Sequence, residues 1–553
     1  MAELEHLTLV DVFKLREQAN LDEILFSFVD ELPLKAKDVI GQATFIQRAL
    51  SRHGIRKGDR IAILGENSPR WGVAYLACGT AGMVNVPILP DFHKSEVHHI
   101  LKNSEAKVLF ISAALFHKIL DSNFTDLKLV VVLDDKEQTL SGKTVTTYSE
   151  LIKEGESLED VKIDMNVEED DLLEILYTSG TTGHSKGVML SHANITTNAV
   201  SVIDFIEIRS TDRMVSILPL AHSYECTCGL ITSFLVGAKV FYIKGPPTAQ
   251  TLLPAVEKIK PTIILSVPLI MEKIYKKKVL SQINSKAITK QLYTITPMRK
   301  LLNRIAGRKL YQAFGGELRF MVFGGAATPL DVEQFLTEGG FPYITGYGLT
   351  ESAPILTANP EGKVKHQSAG IPVPPVQIRI DDPDPVTGIG EIVATGPNIM
   401  KGYYRNEEVT KQTFTKDGWL ITGDRGYLDE DNYLFIKGRS KNLIVGPSGE
   451  NIYPEEIEFH FSQNTYVLES LVFDEDGRIV ARVHLDYDAL DRDFNTSQLD
   501  ESEAAKLIEK LLEDLRKEVN GKLANYSRVH RIIEQPEEFE KTPTKKIKRY
   551  LYT

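Results

Sequence analysis

The chain has 553 residues, of which 42% are hydrophobic and 25% charged, a composition typical of globular proteins that fold in water. This length is too great for one hydrophobic core, so about two to four domains or subdomains are expected. The formal net charge of -12 argues against nucleic acid as the main partner.

The N-terminal segment and the cysteines point to a reducing compartment. The first residues, MAELEHLTLV, lack the basic stretch and apolar core of a signal peptide. No run reaches the roughly 18 apolar residues that span a bilayer. Cys226 and Cys228 form a C-x-C pair, but no second Cys or His pair lies nearby to complete a zinc site, so buried free thiols are favoured. We expect a cytoplasmic protein, with attachment to the inner membrane face left open.

Strand and helix patterns alternate along the first third of the chain. Residues 5–60 are predicted to be helical, with a turn at His53-Gly54. Apolar runs at Arg60–Leu64, Val84–Ile88 and Val108–Ile111 then predict buried strands. Their spacing of roughly thirty residues or less, with helical patterns between, favours a mostly parallel sheet covered on both faces.

The stretch 176–194, LYTSGTTGHSKGVMLSHAN, predicts a phosphate-binding loop. An apolar run, Leu172–Leu176, predicts a buried strand before it. The glycines let the backbone approach a ligand, and successive amide groups form a concavity that binds anions. The common P-loop pattern does not fit, because Lys186 is followed by Gly187. A solvated loop is the alternative. The predicted phosphate ligands are Thr178, Ser179, Gly180, Thr181, Thr182, Gly183 and Lys186.

A histidine follows the next predicted strand. Residues 212–220 predict this strand, and the string LPLAHSYE, residues 218–225, closes it. A lone histidine is more often structural than catalytic. His222, however, lies where a strand of an α/β sheet ends, and ligands of such sheets gather there.

Residues 275–310 contain ten basic residues and no Asp or Glu. Apolar residues recur in this segment at helical spacing, from Met298 to Leu310. A basic amphipathic helix in an acidic protein indicates an element that contacts a membrane surface or an acidic partner. A solvated basic face packed on the domain is the alternative, and the sequence leaves both open.

Six further strings carry polar, basic or glycine-rich motifs. A strand over 318–323 runs into GGAATP, and TGYGLTES follows at 345–352. From Gly370 the pattern changes to short strands and turns, which predict a small barrel-like subdomain over about 370–436. This region contains WLITGD, and the strings KGRSKN and GPSGENIYPEEIE come after it. The chain ends in KTPTKKIKR, which by itself would be a basic tail.

Taken in order, these motifs resemble those of the adenylate-forming superfamily, and LPLAHSYE most resembles the long-chain acyl-CoA synthetases. The resemblance implies an α/β multidomain fold. Its large N-terminal domain, 1–438, has two mostly parallel sheets and the small β subdomain. A mobile α+β domain, 439–553, follows a hinge at Lys441.

The resemblance also implies a role for each motif. Glu351 would hold Mg²⁺ together with Thr181, as one or two carboxylates plus phosphate oxygens usually do. Asp424 would accept from the ribose hydroxyls, and Gly449 would line the path of coenzyme A. Lys546 falls on the catalytic lysine, although Lys545 stands where many relatives have glycine. His222 would position the carboxylate of the acid. The remaining predicted ATP ligands are Gly325, Ala326, Tyr347, Gly348, Thr350 and Arg439.

The reaction implied is the ATP-dependent ligation of a long-chain fatty acid to coenzyme A through acyl-AMP. One alternative is a fatty acyl-AMP ligase that hands its product to a carrier-protein phosphopantetheine. Another is a non-catalytic nucleotide-binding relative. Luciferase chemistry is not excluded by the motifs.

Overall fold

The computed structural model describes residues 4–120, 122–163, 165–178, 185–446, 450–542 and 546–553. Its strands are β1 (Ile24–Phe28), β2 (Leu34–Lys35), β3 (Arg60–Leu64), β4 (Val84–Ile88), β5 (Val108–Ile111), β6 (Leu129–Val132), β7 (Thr144–Thr147), β8 (Leu172–Thr178), β9 (Lys186–Ser191), β10 (Arg213–Ser216), β11 (Lys239–Tyr242), β12 (Ile263–Ser266), β13 (Phe320–Phe323), β14 (Tyr343–Gly348), β15 (Ile355–Ala358), β16 (Ile371–Pro372), β17 (Gln377–Asp381), β18 (Gly390–Thr395), β19 (Gly402–Tyr403), β20 (Leu420–Leu428), β21 (Leu434–Arg439), β22 (Ile444–Val445), β23 (Asn451–Ile452), β24 (Val467–Glu475), β25 (Arg478–Leu485) and β26 (Arg531–Glu534).

The α-helices are α1 (Leu9–Glu17), α2 (Ala36–Arg52), α3 (Pro69–Thr80), α4 (Lys94–Ser104), α5 (Tyr148–Glu156), α6 (His192–Ile206), α7 (Thr232–Val236), α8 (Ala249–Ile259), α9 (Pro268–Ile274), α10 (Ser281–Asn284), α11 (Ala287–Tyr293), α12 (Thr296–Ala313), α13 (Leu330–Gly339), α14 (Glu407–Thr413), α15 (Pro454–Ser462), α16 (Tyr487–Phe494) and α17 (Glu501–Asn520). Two π-helical segments, Tyr224–Ile231 and Tyr275–Leu280, precede α7 and α10.

Two large sheets carry most of the first 370 residues. One has the strand order β19-β9-β8-β4-β3-β5-β6-β7, and the other has the order β16-β15-β14-β13-β12-β10-β11-β1-β2. In both, the central pairings are parallel. The central strands are buried along their length, as expected of strands covered by helices on both faces. The predicted α/β architecture is therefore confirmed.

Two predictions about these sheets are corrected. Residues 5–60 are not all helical, because β1 and β2 lie between α1 and α2 and extend the second sheet. The strand predicted over 212–220 ends at Ser216, because the backbone of Leu218 and Leu220 bonds to the side chain of Asn67 instead of a neighbouring strand.

The later part of the chain is β-rich. The predicted small β subdomain contains an antiparallel sheet of four strands in the order β17-β18-β20-β21. Beyond it, β24, β25 and β26 form a three-stranded sheet. Residues of this sheet and of α15 and α17 share a hydrophobic cluster of their own. The domain boundary after residue 438 stays a prediction. In the described part of the chain, no helix is both long and apolar enough to cross a membrane.

The basic segment 275–310 forms the end of the connection from β12 to β13. Its longest helix, α12, packs closely on α13 at one point. A Cβ atom on Gly307 would lie 2.4 Å from the carbonyl oxygen of Gly339. Asn303 and Arg299, about one and two turns earlier, both bond Glu338 of α13. These contacts fix which face of α12 points outward.

We therefore expect Gly307→Ala to lower the melting temperature. Helix propensity alone favours alanine by about 1 kcal/mol, but a Cβ atom without room forces the helices apart, at about 1–3 kcal/mol. The matched control is Gly41→Ala in α2, where an added Cβ would meet nothing within 4 Å. The melting temperature of Gly41→Ala should equal or exceed that of the wild type. A rise for Gly307→Ala as well would contradict the close approach of α12 and α13.

Candidate active site

The carboxylate of Asp424 is buried and held from two sides. Asp424 lies on β20, and the hydroxyl of Tyr347, from β14, donates to its Oδ2 at 2.6 Å. The guanidinium of Arg439, at the end of β21, pairs with Oδ1 at 2.9 Å. Burial raises the pKa of Asp424, and the attraction of Arg439 opposes that rise. Three residues predicted from separate motifs therefore meet at one point.

A second group forms around Glu351. The hydroxyl of Tyr403, on β19, donates to Oε1 of Glu351 at 2.8 Å. The ammonium of Lys186 lies 5.5 Å from the centre of the same tyrosine ring, within the range of a cation–π contact. Next to Glu351, the carbonyl of Ser352 accepts from two buried amides, Asn198 and Asn398. The backbone beside the carboxylate is therefore held by helix α6 and by the connection between β18 and β19.

Lys186 reaches this group from a hairpin that the sequence did not predict. Strand β9 begins at Lys186 and pairs antiparallel with β8, so that Lys186 lies opposite Thr178. The connection holds Ser179, Gly180, Thr181, Thr182 and Gly183, which lie outside the described residues.

Lys546 lies among these acidic groups although it is far away in sequence. Loss of hydration is the main cause that lowers the pKa of its ammonium, and Arg439 adds repulsion. Asp424 and Glu351 act in the opposite direction. The ammonium thus lies within electrostatic range of both carboxylates, which attract it.

The residues after Lys546 anchor it. The guanidinium of Arg549 bonds Glu458 of α15 at 2.8 Å and the carbonyl of Val472 on β24. Ile547 packs against a small cluster that contains Phe539. Arg549 and Ile547 therefore attach the segment to the three-stranded sheet.

His222 faces this cluster in its neutral form. Burial lowers the pKa of His222 to about 4, and the positive charge of Lys546 contributes. The amide of Tyr224 donates to Nδ1 at 3.2 Å, so the ring proton of the neutral form is assigned to Nε2. Such a histidine can donate a hydrogen bond to a carboxylate, but it is a poor base at neutral pH.

The loop after β13 presents bare backbone. Gly325 has a φ of +84°, and Gly325 and Ala326 are exposed. Gly324 packs on the ring of Tyr224, where a Cβ would lie 3.1 Å from Cε1. Gly348 serves packing as well, because its Cβ would lie 1.8 Å from the carbonyl oxygen of Pro354. The flat surface at Gly325 suits a planar ring.

An apolar cavity begins beside Tyr224, two residues after His222. It encloses about 440 Å³ of empty space. Among the residues that the structure describes, no charged side chain lines it. The lining consists of Val202, Phe205, Ile206, Ile208, Tyr224, Cys228, Ile263, Leu265, Val322, Ile344, Ile355, Ala358 and Val373.

The described residues thus bring together Lys546, Glu351, Asp424, Arg439 and His222, with Tyr347 and Lys186 in contact with this set. Thr350 lies directly before Glu351, at the start of a short 3-10 helix. Lys441 is exposed in a short turn two residues after Arg439. Gly449 lies outside the described residues.

A family model described as "AMP-binding enzyme" matches residues 38–404, which is more than half of the chain. The chain belongs to the AMP-binding enzyme family.

Relatives of this AMP-binding enzyme differ in the acids that their names specify. Long chain acyl-CoA synthetase 7, peroxisomal, of Arabidopsis thaliana is 28% identical over 542 residues, which cover 90% of this chain and 76% of the relative. 4-Coumarate–CoA ligase 1 of Solanum tuberosum is 31% identical over 429 residues, which cover 74% and 71%. Feruloyl-CoA synthase of an Amycolatopsis species is 29% identical over 419 residues, covering 75% and 74%.

Solved structures share the fold over nearly the whole chain. The anthranilate CoA ligase AuaEII in complex with anthranoyl-AMP has a TM-score of 0.81 at 23% identity, covering 98% of this chain and 96% of that one. The o-succinylbenzoate coenzyme A synthetase MenE of Bacillus subtilis, in complex with ATP and magnesium ion, has a TM-score of 0.74 at 23% identity, covering 98% of both chains. At this identity the likeness shows the fold alone.

The sequence did not reveal what holds the segment before His222. The side-chain amide of Asn67, in the loop after β3, bonds the Ser216 hydroxyl at 2.9 Å and the Leu218 carbonyl at 2.5 Å. Its Oδ1 accepts from the amide of Leu220 at 2.8 Å. The buried carboxyl of Glu225 lies against Ser216 and the amide of Leu218 from the other side.

Asn67 and Glu225 therefore act as positioning residues for His222 and Tyr224. One signal was available in the sequence: Asn67 lies in a polar turn, GENSP, directly after a buried strand. A second signal was a glutamate at the start of an otherwise apolar helical run, 224–236.

We expect Glu225→Gln to preserve activity at neutral pH and to change the pH dependence of stability. Burial raises the pKa of Glu225 from 4.5 to about 8. Between these values the folded protein holds a proton that the unfolded chain has released, so this group's contribution to stability falls as pH rises through the window. The melting temperature of Glu225→Gln, relative to wild type, should therefore increase from pH 5 to pH 8.

Glu225→Ala supplies the kinetic half of this test. It leaves the Leu218 amide without its buried acceptor, at about 1–3 kcal/mol, and should lower kcat by roughly ten-fold through the misplacement of His222. Glu174→Ala is the matched control, because Glu174 is also buried, with its pKa raised to about 7, but its carboxylate accepts from Tyr75 on α3 instead of bonding residues 216–220. Equal kinetic losses in Glu174→Ala and Glu225→Ala would contradict the positioning role.

Proposed function

We propose that the protein is an AMP-forming acid–CoA ligase that activates long-chain fatty acids. The observation that carries this proposal is the meeting of Lys546 with Glu351, Asp424 and neutral His222 beside an apolar cavity. A cation brought into a site with two carboxylates suits the joining of a fatty carboxylate to a polyphosphate, since both reactants are anionic.

In the first step, a carboxylate oxygen of the acid attacks the α-phosphorus of ATP. The bond to the bridging oxygen breaks, and pyrophosphate leaves with its electron pair. Lys546 stabilises the charge that develops at the α-phosphate, and His222 holds the attacking carboxylate by donating from Nε2. Catalysis of this kind depends on positioning and charge neutralisation.

The nucleotide would lie between the two groups of residues. Asp424 would accept from the ribose hydroxyls, and Tyr347 and Gly325 would face the adenine. Thr178, Lys186 and the hairpin connection would hold the β- and γ-phosphates, which leave as pyrophosphate. This assignment rests on the open backbone at Gly325 and on the place of Lys186 beside Glu351.

The residues present fit a magnesium ion. Glu351 is half-buried beside Tyr403 and Lys186, and Mg²⁺ is usually held by one or two carboxylates plus phosphate oxygens and water. Among the residues that the structure describes, no group of three or more His, Cys, Asp or Glu side chains could hold a metal by itself, so the phosphates would complete the shell. When bound, the ion would neutralise charge on the phosphates.

In the second step, the thiol of coenzyme A attacks the acyl carbonyl and AMP leaves. Lys546 has no role in this step. A turn of residues 439–553 about Lys441 would remove it and bring Gly449 to the thiol's path. A carrier-protein phosphopantetheine is the competing acceptor, and AMP release that requires free coenzyme A distinguishes the two.

The long acyl chain is proposed from the cavity lining. The side chains are aliphatic or aromatic apart from Cys228 and the Tyr224 hydroxyl, and that hydroxyl donates to the carbonyl of Val322. The lining therefore offers the ring hydroxyl of a phenolic acid only the Tyr224 oxygen and the Cys228 thiol as side-chain partners. A hydrocarbon chain loses no hydrogen bond on entering it.

Lys546→Ala should lower the formation of acyl-AMP by roughly 10²- to 10³-fold and leave thioester formation from supplied acyl-AMP near the wild-type rate. Pyrophosphate release measures the first step, and acyl-CoA measures the second. Lys545→Ala is the matched control, because it removes the neighbouring charge, and it should retain both steps. An equal loss in both half-reactions for Lys546→Ala would overturn the assignment.

Ala358→Phe should shift the preference from long to short acids, because the larger side chain fills part of the cavity. Pyrophosphate release across a panel of straight-chain acids should show a loss of about ten-fold or more for the longest acids. Activity on short acids is the internal control for folding. A uniform change for all acids would mean that the chain does not enter this cavity.

A further inference from the structure

The outward face of α12 combines charge and apolar surface in two adjacent rows. Its inward face is defined by Asn303, Gly307 and Leu310, which are buried. On the outside, Lys300, Arg304 and Arg308 follow one another at intervals of four. Leu301, Ile305 and Lys309 form the next row, also at intervals of four. Residues four apart lie above one another on a helix.

Both rows are exposed. Leu301 is 51% exposed and Ile305 is 48% exposed. The preceding segment continues the pattern. Ile288 on α11 is 74% exposed, and Ile295, just before α12, is 50% exposed. Lys286 and Lys290, at the start of α11 and within it, are also exposed. We call the exposed side chains of residues 286–309 the α11–α12 face.

The exposed basic side chains of this face form no ion pair in the described part of the chain; at longer range, Asp493 attracts Lys290 and Glu338 attracts Lys300. Of the ten basic residues in 275–310, Lys276 pairs with Glu272 and Arg299 pairs with Glu338. The other eight form no ion pair among the residues that the structure describes: Lys277, Lys278, Lys286, Lys290, Lys300, Arg304, Arg308 and Lys309. The chain as a whole has a net charge of -12. Eight basic residues without ion pairs in this one segment therefore give one side of the molecule a positive surface potential.

We propose that the α11–α12 face docks on an anionic lipid surface. Exposed aliphatic side chains among unpaired lysines and arginines are what an interfacial helix needs, since the apolar groups enter the boundary of the acyl chains while the cations meet the headgroups. An acidic protein partner is disfavoured by composition, because protein interfaces are depleted in lysine and enriched in aromatic residues. The exposed rows of α12 contain no aromatic residue.

The face is also rigidly attached to the protein. The close approach of Gly307 to Gly339 and the bonds of Glu338 to Arg299 and Asn303 hold α12 against α13. In addition, the Lys276 ammonium donates to the carbonyl of Ser462 in α15 at 3.0 Å. Docking therefore requires no unfolding of the helix, and it would orient the domain that contains α12 on the surface.

The inference does not depend on the proposed substrate. The segment connects β12 to β13, and both strands line the apolar cavity through Leu265 and Val322. Docking would therefore hold these strands near a lipid surface whatever acid the cavity accepts.

The test is co-sedimentation of the full-length protein with vesicles of phosphatidylcholine, with and without phosphatidylglycerol. We expect binding that requires phosphatidylglycerol and weakens as salt is raised. Each basic residue near such a surface contributes about five-fold in partitioning. The triple variant Lys300→Gln/Arg304→Gln/Arg308→Gln should therefore bind about 100-fold more weakly. Leu301→Ser/Ile305→Ser should also bind more weakly, with less dependence on salt.

The matched control is Lys128→Gln/Lys416→Gln/Lys510→Gln, which removes the same charge from exposed positions on other elements and should bind as wild type does. All variants should convert a short, water-soluble acid at the wild-type rate, which shows that they are folded. Equal losses in control and test variants, or no binding to phosphatidylglycerol vesicles, would overturn the proposal. Retention on an acidic protein column without vesicle binding would assign the face to a protein partner instead.

Discussion

Burial of the Asp424 carboxylate is the constraint on which the arrangement of the site depends. A buried charge is costly unless it is paired and hydrogen-bonded. Here the partners come from separate elements: Tyr347 from β14, Arg439 from the end of β21, and Lys546 from the last eight residues. The contacts of this one carboxylate therefore fix the relative positions of the nine-stranded sheet, the four-stranded sheet and the C-terminal segment.

Glu351 is likewise held by polar groups from separate elements. Tyr403 donates to its carboxylate and lies beside Lys186, while amides from α6 and from the connection between β18 and β19 hold the neighbouring carbonyl of Ser352. Pairing in low dielectric fixes geometry more strongly than it adds stability. The site is positioned by polar groups that satisfy one another across sheet boundaries.

Much of this could be predicted from the sequence. Buried parallel strands form continuous apolar runs, so Arg60–Leu64, Val84–Ile88 and Val108–Ile111 were predicted with the bounds that the structure shows. Ser68 and Pro69 at the start of α3 follow the usual chemistry of a helix N-terminus. Residues with distinctive motifs, such as Glu351, Asp424 and Lys546, could be singled out before their neighbours were known.

Other features depend on contacts between distant residues. Strand β9 follows a glycine-rich loop and could not be told from a continuation of that loop, because its partner β8 defines it. Strand β1 is five residues long, and short apolar runs do not distinguish strand from helix. Asn67 and Glu225 gave only weak local signals, a polar turn and a glutamate in an apolar run, and their roles follow from the groups of residues 216–220 that they bond in the fold.

The electrostatic contact between Lys546 and His222 has one more consequence. Lys546 contributes to the low pKa of His222, and linkage makes every such effect reciprocal. A proton on the imidazole must weaken the hold of the site on the ammonium by the same free energy. The position of the last eight residues is thus coupled to the protonation of His222. Acidification therefore shifts both equilibria.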